Sequence, residues 1–127
     1  MNIVASLYPP PLPAQNIYLE QFSTTLVTVE TWWAGGRYDL TGATILWVAG
    51  TGPTLSKGTG AGTITVDAPV TAGVFRFTIT AADSLLFTAG DLAAGVEHQC
   101  KVQDIAGNVY SVFEGELRFD GTLIVAI

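Results

Sequence analysis

The chain has 127 residues, of which 49% are hydrophobic and 13% are charged, and its net charge is −6. This length fits one domain whose core needs no disulfide or metal, and Cys100, the only cysteine, has no partner for an internal bridge. The five basic residues are scattered singly, which argues against nucleic acid as a partner because phosphate contacts need clustered Lys and Arg. The sequence has no cluster of Cys and His residues that would predict a zinc site, and we expect no metal or cofactor. Its apolar runs are far shorter than the ~18 residues that span a bilayer, so we expect no membrane partner.

Residues 1–22 are predicted to form an extended N-terminal arm. Four prolines between positions 9 and 13 favour a polyproline conformation, and the absence of a basic n-region argues against a signal peptide. The apolar flanks of this segment are unusual for a free tail, which is commonly polar. We therefore expect the arm to lie against a neighbouring subunit, or alternatively to form an edge strand along its own domain. The predicted contact residues are Ile3, Val4, Tyr8, Leu12, Ile17 and Tyr18.

From about residue 24 onward, side chains alternate with a period of two, which is typical of strands with one face in a core. Four predicted strands show this alternation, and in each of them every second residue belongs to the same face. One face of each strand consists of Val27, Val29, Thr31 and Trp33; Phe75, Phe77 and Ile79; Val96, His98, Cys100 and Val102; and Val109, Ser111, Phe113, Gly115, Leu117 and Phe119. Shorter β-rich runs at 43–48, 63–67 and 123–127 complete a set of about seven strands. The pattern predicts an all-β fold, an antiparallel β-sandwich over residues 23–127.

The segments between the predicted strands carry turn residues. The stretches 39–42 and 104–108 place Gly or Asn where a positive φ is needed, and 50–62 is predicted to be a long loop. One short helical turn is expected at 80–87, where Thr80 can cap the first turn and Asp83 follows three residues later.

Three groups of residues invite a catalytic or ligand-binding interpretation that the sequence does not favour. His98 and Cys100 share one strand face, so both are expected to be buried rather than to act as a nucleophile and its base. Glu114 and Glu116 lie on one exposed strand face, without the dry cleft that a glycosidase pair needs. The glycines of 58–62 precede a β-run instead of a helix, which argues against phosphate binding. We therefore predict no catalytic residues and no enzyme activity.

The three tryptophans raise the possibility of a carbohydrate site, because exposed aromatic faces stack on sugars. Trp32 and Trp33 are consecutive and point to opposite faces, so one of them is expected to face outward. The alternatives for these two residues are stacking on a sugar, contact with a protein partner, and plain packing in the core. Trp47 is expected in the core.

Three stretches resemble sequence units of small virion proteins of tailed bacteriophages. They are RYDLTGATI at 37–45, GVFRFTITAAD at 73–83 and VQDIAGNVY at 102–110. Together they cover about residues 24–119, in the order found in the immunoglobulin-like (Ig-like) domains of phage baseplate-upper, tail-fibre, head-fibre or neck proteins. The resemblance implies an Ig-like sandwich that is made in the host cytoplasm and docks onto a larger virion assembly, with no catalytic residues.

These observations together predict a non-enzymatic virion protein whose partners are other virion proteins and copies of itself. The apolar end of the chain supports docking, because its last residues offer a bare strand edge. The predicted contact residues toward a partner are, in addition to those of the arm, Trp32, Trp33, Leu123, Val125 and Ile127. The alternative is a carbohydrate-binding, adhesin-type module that uses Trp32 or Trp33 to bind a glycan.

Overall fold

The computed structural model describes residues 1–8, 14–20 and 23–119 of the chain. Within these residues the fold is mostly β, with two short helices. The strands are β1 Asn2–Tyr8, β2 Ile17–Leu19, β3 Thr25–Trp33, β4 Gly36–Arg37, β5 Thr44–Ala49, β6 Leu55–Gly58, β7 Ile64–Val66, β8 Val74–Ile79, β9 Val96–Gln103 and β10 Val109–Phe119; the helices are α1 Ala81–Ser84 and α2 Ala89–Ala94. The predicted set of about seven strands was therefore too small even for this part of the chain.

Two five-stranded sheets form a sandwich-like arrangement. One sheet has the order β1-β3-β8-β7, with β4 also paired to β3, and the other has the order β2-β10-β9-β5-β6. The expectation of antiparallel sheets holds for most neighbours, but β1 runs parallel to β3 and β2 runs parallel to β10. Both sheets are therefore mixed, because the two strands of the N-terminal segment join them in parallel at their edges.

The N-terminal segment belongs to the domain's own sheets where the structure describes it. Ile3, Ala5 and Leu7 of β1 are buried in the core, as are Ile17 and Leu19 of β2. This is the edge-strand alternative from the sequence. Ile3 and Ile17 were predicted to contact a neighbouring subunit, but their side chains have no surface left for one, because they pack inside this chain.

The core lies between the two sheets and is built by the alternating residues. Trp47 is fully buried and its ring lies 4.8 Å from that of Phe77, centroid to centroid, across the sandwich. The alternation predicted for β3, β8 and β9 is confirmed, since Val27, Phe75 and Cys100 each lie in this core with their same-face neighbours. Such burial of large apolar side chains supplies most of the stabilisation of a fold of this size.

The alternation predicted for β10 holds only in its second half. A bulge interrupts the pairing with β9, so that Ser111 pairs with Lys101 and Phe113 with Cys100, leaving Val112 as the extra residue. Before the bulge the faces are exchanged. Tyr110, rather than Val109 or Ser111, packs against the core.

The helical turn predicted at 80–87 is confirmed as α1, whose cap is a reciprocal pair of hydrogen bonds between Thr80 and Asp83. The second helix was not predicted, although Thr88 and Asp91 form the same capping box at its start. The predicted long loop at 50–62 also contains β6.

Among the described residues, no helix is long and apolar enough to cross a bilayer. The predicted strand at 123–127 lies outside the described residues.

Candidate functional site

Four aromatic rings meet at one end of the sandwich. Trp33 ends β3, and its ring stacks on Tyr8 of β1 with centroids 5.3 Å apart. Tyr110 makes an edge-to-face contact with Trp33 at 5.1 Å, and Tyr38 lies 5.9 Å from Trp33 and 6.4 Å from Tyr110. The four residues come from distant parts of the chain and are brought together by the parallel β1–β3 pairing and by the bulge in β10.

A concavity of about 380 Å³ opens beside these rings, and we call it the end pocket. It is lined by Trp33, Arg37, Tyr38, Asp39, Asp104 and Tyr110. It combines aromatic ring surface with two carboxylates on turns at the same end of the fold.

Both carboxylates of the end pocket are fixed by the turns on which they lie. Asp39 accepts hydrogen bonds from the backbone N–H and the hydroxyl of Thr41, at 2.9 and 2.5 Å. Asp104 accepts bonds from the backbone N–H groups of Ala106 and Asn108, each at 2.9 Å. The two turns touch, because the side chain of Ile105 lies against Gly42 so closely that a Cβ there would come within 2.8 Å of it.

The electrostatics of the end pocket are those of an anionic site. The hydrogen bonds from Thr41 lower the pKa of the Asp39 carboxyl. Partial desolvation would raise the pKa of Asp104, but the hydrogen bonds from Asn108 and its neighbours outweigh it and lower that pKa. Desolvation, followed by the nearby charge of Asp104, raises the pKa of the Tyr38 hydroxyl. At neutral pH the pocket therefore holds two carboxylates and the neutral hydroxyl of Tyr38.

Arg37 lines the end pocket but its guanidinium is engaged elsewhere. It pairs with Glu30 at 3.3 Å, donates to the carbonyl of Ala72 at 3.1 Å and lies 4.7 Å from the ring centre of Trp32. Among the described residues, neither Asp39 nor Asp104 has an ion-pair partner; the pairs there are Arg37–Glu30, Lys57–Asp83, Arg76–Asp67 and Arg118–Glu116.

The other predicted contact residues are scattered over the surface. Val4 and Tyr18 are exposed on β1 and β2, whereas Tyr8 and Trp33 are brought together at the end pocket. Trp32 is half-buried on the opposite face of its strand, and its buried Nε1 has no hydrogen-bond partner in the described part of the chain. Leu12, Leu123, Val125 and Ile127 lie outside the described residues.

His98 is a satisfied core residue, as predicted from its strand face. It is 3% exposed, its Nδ1 accepts the indole N–H of Trp47 at 3.1 Å, and its Nε2 donates to the carbonyl of Gln15 at 2.8 Å. These partners fix the neutral tautomer, and desolvation lowers the pKa of His98 to about 4. Cys100 is also buried, and burial raises the pKa of its thiol well above the ordinary value. Neither group is placed for nucleophilic chemistry.

A second concavity of about 530 Å³ lies over the outer face near His98 and contains Glu97, Glu114 and Glu116. Glu97 and Glu116 face each other across β9 and β10, and Glu116 pairs with Arg118 at 2.9 Å. Within the described residues, no group of three or more His, Cys, Asp or Glu side chains could hold a metal ion.

Sequence reasoning treated Asp39 and Asp104 only as turn residues and did not single out Tyr38 or Tyr110. A signal was present, because each aspartate is within six residues of a tyrosine at a predicted strand end. That signal alone does not show that the turns carrying Asp39 and Asp104 lie side by side.

No protein-family model and no curated protein matches this sequence. Among solved structures, the chain is similar to the "N-terminal domain of phage TP901-1 ORF48", with a TM-score of 0.56 at 8% sequence identity. The similarity covers 94% of this chain and 98% of that chain. At this identity it shows that the two share a fold, and that fold occurs in a bacteriophage protein.

Proposed function

We propose that the protein is a non-enzymatic structural component of a bacteriophage virion, and that it acts by docking to other virion proteins. The observation that carries the proposal is the similarity in fold to a domain of a phage protein over nearly the full length of both chains. The resemblance of 37–45, 73–83 and 102–110 to units of phage Ig-like domains supports it independently of the fold comparison.

The surface at the end pocket supports a docking role. Two side chains with large apolar surface are exposed at this end of the fold: Tyr8, which stacks on Trp33, is 54% exposed, and Ile105, which follows Asp104, is 79% exposed. Exposed apolar side chains clustered at one end of a domain with few charges are typical of a surface that is covered in an assembly. The buried states of His98 and Cys100 agree with a role without catalysis.

The finer part of the proposal is an Ig-like sandwich in a tail, baseplate, neck or capsid-decoration adaptor, assembled with other virion proteins and copies of itself. The chain would be made in the host cytoplasm and end in the particle. A repeated small domain suits a symmetric assembly, because one contact surface then serves every copy.

Particle composition tests this function. Virions purified on a density gradient should contain peptides of this chain at a constant ratio to the major capsid protein, and deletion of the gene should give particles that lack it or fail to assemble. A chain that stays in the lysate and never sediments with particles would contradict the proposal.

The second candidate is a carbohydrate-binding module, which the position of Trp33 at the end pocket favours. Stacking on a sugar needs an open ring face, and because Tyr8 stacks on one face of Trp33, a sugar would have to use the other face. Tryptophan fluorescence titrated with host polysaccharide separates the two candidates: a saturable change supports the sugar module, and a flat titration supports docking.

A further inference from the structure

We propose that the end pocket binds a basic side chain, arginine or lysine, presented by a partner protein. This inference rests on the proposed function, since it names the chemistry by which the docking surface recognises its partner. Four features of the end pocket carry it: the angles between its rings, its two fixed carboxylates, the engagement of its own arginine, and its apolar rim.

Of the three rings that line the end pocket, Tyr110 stands at a steep angle to the other two, Trp33 and Tyr38, which are inclined to each other by 32°. Tyr110 stands at 79° to Trp33 and at 71° to Tyr38. A pyranose ring needs a flat aromatic face, whereas a cation is attracted to several ring faces that converge at an angle, because each face carries the negative side of the ring quadrupole. The geometry therefore fits a compact cationic group better than a sugar.

The two carboxylates of the end pocket are preorganised for a cation. Asp39 and Asp104 are each held by hydrogen bonds from their own turns, so they lose little freedom when a ligand binds. Neither has an ion-pair partner in the described part of the chain. A guanidinium or ammonium group would neutralise these two carboxylates and donate hydrogen bonds to them.

Arg37 is not the cation that pairs with Asp39 and Asp104, but its own contacts show how this chain binds a guanidinium. On the opposite face of β3, its guanidinium lies over the ring of Trp32 and pairs with Glu30. The chain thus already binds one guanidinium between an aromatic ring and a carboxylate. The end pocket brings the same two kinds of group together, since its lining contains the rings of Trp33, Tyr38 and Tyr110 beside the carboxylates of Asp39 and Asp104.

The rim of the end pocket indicates that the cation belongs to a protein surface. Ile105 follows Asp104 directly, and its side chain is 79% exposed. A free small cation gains nothing from this apolar margin, but a protein that inserts one basic side chain would cover the margin with its own apolar surface.

Titration of the full chain by two-dimensional NMR tests the inference, with the indole N–H of Trp33 as reporter and those of Trp32 and Trp47 as internal references. The probe is N-acetyl-arginine amide, and its matched control is the N-acetyl amide of citrulline, which has the same shape without the charge. We expect a saturable shift at Trp33 with arginine that weakens as salt is added and is at least about tenfold weaker with citrulline.

The double variant D39N/D104N should lose most of the arginine response, because Asn keeps the hydrogen bonds of each turn but removes the charge. The matched control is Asp67→Asn, which removes a carboxylate that already pairs with Arg76 and should leave the response unchanged. Equal binding of citrulline, an unchanged response in D39N/D104N, or no saturable shift would each overturn the inference. So would a saturable shift with host polysaccharide, or tetramethylammonium binding as tightly as the arginine probe, since these indicate a sugar or a free small cation.

Measuring whether purified virions contain the chain distinguishes a failure of this inference from a failure of the proposed function. If virions contain the chain while arginine does not bind, the inference fails and the function stands. If arginine binds while the chain is absent from virions, the pocket stands and the docking role in a virion fails.

Discussion

Mild acid should destabilise the fold through His98, the only histidine. In the folded chain Nδ1 accepts the indole N–H of Trp47, so protonating that nitrogen would set two N–H groups against each other. Desolvation accordingly lowers the pKa of His98 to about 4, whereas the same residue in the unfolded chain keeps the ordinary value near 6.5. Between these values the unfolded chain binds more protons than the folded chain, so the free energy of unfolding falls as the pH is lowered.

The size of the effect follows from the two pKa values. Fully developed, the difference between 6.5 and about 4 corresponds to about 3 kcal/mol of stability, present above pH ~6.5 and lost by pH ~4. From pH 7 to pH 5 the expected loss is about 2 kcal/mol, because at pH 5 most unfolded chains carry the proton and few folded chains do. Ordinary carboxylates titrate near pH 4, so this window reports on the histidine.

Urea unfolding followed by tryptophan fluorescence at pH 7, 6 and 5 measures the loss. The midpoint should fall by about 1 M urea over this range, given a typical m-value for a small domain. The control is His98→Gln, which cannot ionise and should show a nearly constant midpoint between pH 7 and 5 even if it is less stable at both. A variant that loses as much stability as the unmodified chain would refute the assignment to His98.

Four further predictions test the fold. Gly115→Ala should cost about 2 kcal/mol in the free energy of unfolding, because its Cβ would overlap the backbone before β2, whereas Gly60→Ala, with nothing within 4 Å, should change it by less than about 0.5 kcal/mol. Thr88→Ala should cost about 1 kcal/mol by removing the cap of α2, measured in the same urea assay. Iodoacetamide should modify Cys100 slowly in the native chain and rapidly in urea; fast native modification would contradict its burial. Deletion of residues 1–8 should remove about 5 kcal/mol of stability, enough to abolish the cooperative urea transition of a marginal domain.

The central strands could be predicted from the sequence because each has one face in the core and one outside. In β3, β8 and β9 this difference repeats strictly every two residues, so Val27, Phe77 and Cys100 fell on the buried side as expected. The N-terminal strands were harder to assign, since apolar residues on an extended segment fit a partner protein as well as the chain's own edge. Only the register of β1 with β3, which no local pattern encodes, decides between them.

The bulge in β10 had the largest consequence for the site. Strict alternation puts Ser111 and Phe113 on one face, but Val112 is inserted between their pairing positions and exchanges the faces before it. As a result Tyr110 reaches the rings of Trp33 and Tyr38, while Val109 points to the outer face of the sheet and is exposed. A bulge is a backbone irregularity that period-two reasoning cannot detect, so the predicted strand was right and the predicted face was wrong only for the residues before the bulge.

The end pocket depends on this irregularity and on the N-terminal strand together. Tyr8 reaches Trp33 only because β1 pairs in parallel with β3 up to its last residue, and the same pairing places the buried residues of β1 in the core. A segment that looked like a separate arm is therefore part of the hydrophobic core, and it also packs against Trp33, one of the rings that line the surface proposed to bind a partner. Changes that loosen β1 should consequently weaken stability and binding together, whereas changes confined to Asp39 and Asp104 should affect binding alone, because those side chains stay outside the core.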